Sequence, residues 1–223
     1  MRLLRRLHVW LAWIVGVPVL FWTASGLWMV ARPIEEVRGA HLRAEPVPFA
    51  FTVPLRMPPG VYRSLTLEHQ GGWKGNGRIV WVGSRHDGAV LRADPVTGRI
   101  LHGVDRDEAI GLARAALARP PAVVRATRTP ADAPPVDLRR PRPAWGVEFA
   151  DRARVYVDAD TGQVLALRTA QWRAFDWMWG LHVMDLSGRE DTSHPLLIGS
   201  AALALAVTLI GLVLLPFTGR RRR

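Results

Sequence analysis

Residues 81–101, WVGSRHDGAVLRADPVTGRIL, return 64 positions later as residues 145–165, WGVEFADRARVYVDADTGQVL. Trp81/Trp145, Asp94/Asp158, Thr97/Thr161, Gly98/Gly162 and Leu101/Leu165 are identical, and Ile100 answers to Val164. A repeat at fixed offset fixes the architecture before any single element does. Each copy reads as two strands and a turn. Around residues 79–82 and 89–91 apolar residues alternate on either side of Asp87-Gly88, a strong hairpin signal. In the second copy Val147 and Phe149 alternate before Asp151-Arg152, and Val155 and Val157 follow. Asp-x-x-Thr-Gly comes next in both. There the Asp carboxylate accepts from turn amides and glycine supplies a positive φ. Asp94, Thr97 and Gly98, with Asp158, Thr161 and Gly162, are therefore expected to be turn residues and not a catalytic carboxylate pair. A further short strand is expected at 99–101 and at 163–167. Trp81 and Trp145 are expected to fill the core of the repeat.

Working outward, residues 105–117 (DRDEAIGLARAAL) predict a helix ahead of the second copy. Asp105 is its N-cap and Glu108 completes a capping box. Helix then hairpin is the expected unit, with residues 56–67 a weaker, proline-broken version. Residues 127–143, rich in proline and arginine, read as a loop.

Two uncharged runs flank this middle, residues 9–31 and 196–217. A bilayer core needs about 20 apolar residues at about 1.5 Å rise each, and both runs suffice. The first is expected to be an uncleaved anchor, because it is longer than a signal h-region and ends WMVARP without a small-x-small site. Lys and Arg near membrane ends stay cytoplasmic, and Arg2, Arg5, Arg6 and Arg220 to Arg223 lie on the outer flanks. The expected layout is a cytoplasmic basic tip at 1–8, transmembrane helix one at 9–31 and a periplasmic α+β domain at 32–170. An interfacial aromatic helix and connector follow at 171–195, then transmembrane helix two at 196–217 and a cytoplasmic basic tail at 218–223. The bacterial inner membrane is the expected location. Those tip arginines account for seven of the 11 net positive charges, so no basic face remains for nucleic acid. The absence of cysteine excludes disulfides, thiolate metal sites and iron–sulfur clusters. No hydrolase triad, zinc HExxH, phosphate-binding loop or dinucleotide glycine pattern is present, and no charge lies within either run.

Taken together, the VDADTGQVL turn at 157–165, its first copy, Leu7-His8 and Ser25-Gly26 in the first span, and LHVMD at 181–185 with Gly188-Arg189 resemble the PepSY-associated transmembrane family. The resemblance covers nearly the whole chain. It implies an α+β extracytoplasmic domain of repeated helix/β-hairpin PepSY-like units, tethered by two transmembrane α-helices. It also implies one of two functions. Stand-alone PepSY modules regulate or inhibit partners outside the cytoplasm, whereas larger members include haem-dependent ferric-siderophore reductases with histidines on several helices. The chain departs from the latter in having two spans.

Whether the chain is an enzyme component stays open at this point. His8, His182 and His194 are the candidate ligands of a haem b, the alternative being interfacial side chains. His8 and His182 stand about one bilayer, roughly 30 Å, apart, so a single iron would need a homodimer or His182 paired with His194. Trp172, Phe175 and Trp179 share a helical face and read as an interfacial collar at the lipid surface. Small residues at Ala12/Gly16, Ser200/Ala204 and Ala202/Ala206 offer seams for packing between helices, within a protomer or in a homodimer.

Overall fold

The computed structural model describes residues 2–46, 48–50, 52–71 and 77–218. The arginines at 220–223 lie outside the described residues. The chain divides into two compact units, one made of Met1–Pro33 with Arg173–Arg223 and the other of Ile34–Trp172.

The first unit is a helical hairpin. Helix α1 runs Arg2–Val30, and the last helix runs Pro195–Thr218. Leu3–Val30 and Pro195–Phe217 are each long and apolar enough to cross a membrane. The basic tip is thus no separate segment. Its arginines continue the helix, as befits good helix formers with nothing to break the run. The two helices are antiparallel. His8, early in α1, has its Cε1 3.0 Å from where a Cβ on Gly211 would sit, while Trp22, late in α1, lines one cleft with Ser200 and Ala204. Ser200/Ala204 therefore faces α1 of the same chain. A Cβ on Gly16 would meet nothing within 4 Å, and Ala202 and Ala206 are exposed.

The second unit is α+β. After α2 (Ile34–Val37) and a 3₁₀ turn at Ala40–Leu42 come β1 (Tyr62–Gln70), β2 (Arg78–Arg85) and β3 (Val90–Ala93), an antiparallel sheet in chain order. Then follow α3 (Arg106–Ala115) and a second antiparallel sheet of β4 (Val123–Thr129), β5 (Ala144–Phe149), β6 (Arg154–Asp158) and β7 (Val164–Arg168). The pairs Trp81↔Ala93, Gly83↔Leu91 and Ser84↔Val90 recur 64 positions on as Trp145↔Val157, Val147↔Val155 and Glu148↔Arg154. Ala93↔Ile100 recurs in the same way as Val157↔Val164.

Three local expectations change. Residues 56–67 form no helix; strand β1 starts there at Tyr62, because Pro54, Pro58 and Pro59 remove the amides a helix needs. Strand β4 reaches Thr129, three residues into the segment expected to be all loop. Asp105 caps α3 by accepting from the Glu108 amide at 2.8 Å, but no box closes, because the Glu108 carboxylate turns instead to Arg92 and Arg78.

The core lies where α3 crosses the second sheet. Ala109, Leu112 and Ala113 pack with Val147, Phe149, Val155, Val157 and Leu167. On the opposite face of that sheet Tyr156, Ala144 and Ala166 lie beneath Leu138. Both faces of β5 and β6 are buried, so their apolar runs are nearly continuous. Trp145 packs against this core half-buried, its Nε1 donating to the Val104 carbonyl at 2.8 Å, and the Trp81 Nε1 donates to the Arg56 carbonyl at 2.9 Å.

Candidate functional site

In the membrane unit the polar groups gather at one end of the hairpin. Helix α4 (Ala170–His182) carries His182 at its last position. Trp22 Nε1 donates to His182 Nε2 at 2.9 Å, and His182 Nδ1 lies 3.1 Å from the Trp22 carbonyl and 3.3 Å from Ser25 Oγ. An indole only donates, so Nε2 must accept and Nδ1 carries the proton toward the carbonyl. The ring also sits against Gly26, where an added Cβ would come within 3.1 Å of His182 Cε1. Ser25, 2% exposed, closes its hydroxyl on the Phe21 carbonyl at 2.7 Å.

Just beyond, Arg189 is a hub. Its Nη1 donates to Asp176 Oδ2 at 2.7 Å, its guanidinium covers the Trp177 ring at 3.8 Å, and its carbonyl accepts from Trp179 Nε1 at 3.1 Å. Gly180 makes room for it; a Cβ there would lie 2.7 Å from Arg189 Cγ. Asp185 organises the loop before the last helix, accepting from the amides of Ser187, Gly188, Glu190 and Asp191. Those amides hold its carboxyl well below the usual carboxylate range, Glu190 first. His194 Nε2 bonds the Val183 carbonyl at 2.8 Å.

Phe175 meets Trp28 at 6.3 Å between ring centroids, and Trp179 stacks on His182 at 6.3 Å. Trp172, in the other unit, lies under Arg168 at 4.1 Å and Arg139 at 5.8 Å. All three aromatics of the expected collar are half-buried, and the exposed tryptophan of α4 is Trp177, at 51%.

In the α+β unit the two Asp-x-x-Thr-Gly turns share the same backbone-amide bonds. Asp94 Oδ1 accepts from Val96 N at 3.0 Å and Thr97 N at 2.7 Å; Asp158 Oδ1 accepts from Asp160 N at 3.0 Å and Thr161 N at 2.8 Å. Gly98 and Gly162 stand at φ 71° and 76°. The Thr97 amide, with its hydroxyl, holds the Asp94 carboxyl below its ordinary range. Asp158 is fully buried with Arg142 Nη2 at 2.6 Å. Between the sheets, Arg92, 2% exposed, donates to Glu108 at 2.7 and 3.0 Å, to the His102 carbonyl at 3.1 Å and to Gln70 Oε1 at 3.3 Å. Gln70 Nε2 passes the connection on to the Thr161 carbonyl at 2.6 Å. An arginine in a strand of alternating residues gives no sequence sign of being buried. The matching Glu108 was visible only as a cap.

Residues 5–223 match the family described as PepSY-associated TM region. The chain belongs to that family. It is a membrane protein with two spans, carrying an α+β unit between them. No curated protein and no solved structure matches the chain.

Neither His182 nor His194 presents a free Nε2 to a haem. The Nε2 of His182 is taken by an indole N–H, and that of His194 by a carbonyl. The cleft that Trp22 lines with Met184 and Ser200 has a volume of about 20 Å³, against about 300–1,000 Å³ for ordinary ligand sites. His8 lies toward the opposite end of the hairpin, against Gly211. Among the described residues no group of three or more His, Asp or Glu is placed to hold a metal ion.

Proposed function

We propose that the chain is a membrane-anchored, non-enzymatic PepSY module whose α+β unit binds or regulates a neighbouring membrane or periplasmic protein. The observation that carries this reading is the state of His182. Both its ring nitrogens and its ring edge are used to fasten the end of α4 to α1, so the residue acts as a structural lock. In this reading the two sheets are two PepSY-like units, the Asp94 and Asp158 turns are structural, and the outer arginines hold both ends in the cytoplasm. The unit between the spans then faces the periplasm of a bacterial inner membrane. The α4 aromatics form a collar at the lipid surface, where Trp177 is the exposed ring. The outward Ala12/Gly16 and Ala202/Ala206 seams are where a partner helix or a second protomer packs.

Three measurements test this. Protease added to intact spheroplasts cleaves the α+β unit and leaves both ends protected; full protection of that unit refutes the orientation. The detergent-purified protein shows no Soret absorption, even after incubation with haemin. A Soret band lost on His182→Ala or His8→Ala refutes the non-haem reading. Crosslinking in whole cells at natural expression level yields a discrete heteromeric adduct; its absence refutes the partner reading.

A further inference from the structure

A groove of about 370 Å³ opens where the end of β1 meets α3 and the β6–β7 turn. Its polar lining includes Glu45, Glu68 and His69, and Leu112, Ala115 and Val164 contribute apolar surface. The volume lies within the ordinary range of ligand sites. Glu68 is the group that calls for explanation. Gln163 Nε2 donates to its Oε1 at 2.6 Å, and among the described residues nothing bonds the other oxygen. Neither Glu68 nor Glu45 has a cationic partner among those residues, although 30 of the chain's residues are Lys or Arg. The buried cation nearby, Arg92, is already committed to Glu108. Burial pushes the Glu68 carboxyl up, with Gln163 opposing. A carboxylate half removed from water without a counter-charge lowers stability, a situation typical of groups kept for a ligand and not for the fold.

We propose that this groove binds a guanidinium or ammonium group carried on a short apolar shaft, with Glu68 as its charge partner and Glu45 at the rim. The chemistry matches the two kinds of lining. A cationic head makes a charge-assisted hydrogen bond to the second carboxylate oxygen of Glu68, and its methylene shaft lies along Leu112, Ala115 and Val164. Resting on the partner-binding reading above, the ligand is an arginine or lysine side chain presented by the bound protein. A free amine satisfies the same chemistry.

The test titrates the full chain in detergent with N-acetyl-arginine amide, with the neutral isostere N-acetyl-citrulline amide, and with agmatine as the free-amine form. Arginine amide is expected to bind about tenfold more tightly than citrulline amide, the size of one charge-assisted hydrogen bond. Glu68→Gln, which keeps an acceptor for Gln163, removes that preference, and Glu45→Gln reduces it about two- to threefold as a rim charge. The ratio of arginine amide to agmatine affinity tells a peptide-borne cation from a free one. Equal affinity for the citrulline and arginine compounds overturns the proposal, as does a preference unchanged by Glu68→Gln in a folded protein. Its failure is separable from that of the module reading: heteromeric crosslinks retained in Glu68→Gln, with no arginine preference in the wild type, sink the groove alone.

Discussion

Replacing Arg92 by alanine tests the junction on which the α+β unit is built. The guanidinium is 2% exposed and makes two bonds to Glu108, at 2.7 and 3.0 Å. Removing one member of a buried pair costs about 3–5 kcal/mol, because the other charge is left without its partner. Here the loss is smaller, since the Glu108 side chain is 26% exposed and keeps Arg78. The expected destabilisation is therefore about 2–3 kcal/mol, equivalent to about 4–12 °C in Tm for a unit of this size. Urea unfolding of the detergent-solubilised protein, followed by the fluorescence of Trp81 and Trp145, reads it as a lower midpoint with unchanged slope. Far-UV helix signal reports the spans separately. Arg92→Met, which refills the volume without the charge, should fall between wild type and Arg92→Ala. A midpoint for Arg92→Ala within about 0.5 kcal/mol of wild type refutes the reasoning, because it would mean that the Glu108 pair and the Gln70 bridge do not hold the two sheets together.

Two of the shifted carboxyls, Glu68 and Asp94, predict opposite pH behaviour. Glu68 has a raised folded pKa, so its contribution is favourable below the ordinary carboxyl range and is lost as pH rises through the folded value; Glu68→Gln should raise stability at neutral pH and flatten that region of the profile. Asp94 has a lowered folded pKa, so its stabilisation is present above the ordinary carboxyl range and is lost as pH falls through the folded value; Asp94→Asn should remove that acid-side loss. His182→Phe keeps a ring against Gly26 but deletes the bond from Trp22 Nε1; disulfide trapping between cysteines introduced at Ser25 and Val183 should become slower and less complete, and an unchanged yield would show that the lock does not hold α4 to α1.

Much of the fold was readable in the residues because repetition and local rules carry it. An offset of 64 between two tryptophan-led copies anticipates identical strand pairing, since register follows from turn type and from which face is apolar. The Asp-x-x-Thr-Gly turns were readable for the same reason: their bonds run between residues two and three apart. Misreadings arose where a residue had a choice of partner. Glu108 satisfied a local capping pattern, yet its carboxylate is claimed by Arg92 from another strand.

By itself the sequence determined two membrane-length helices, an α+β unit between them with strands paired in matching register, and the turns that reverse them. Those follow from hydropathy, periodicity and bonds closed within a few residues. Only the tertiary structure decided how the histidine nitrogens are engaged, that Arg92 rather than a surface residue ties the sheets, and that Glu68 lines a groove with no cation beside it among the described residues. Such properties depend on neighbours 16 to 160 positions away, and burial assigns them by what happens to lie opposite, which no local pattern encodes.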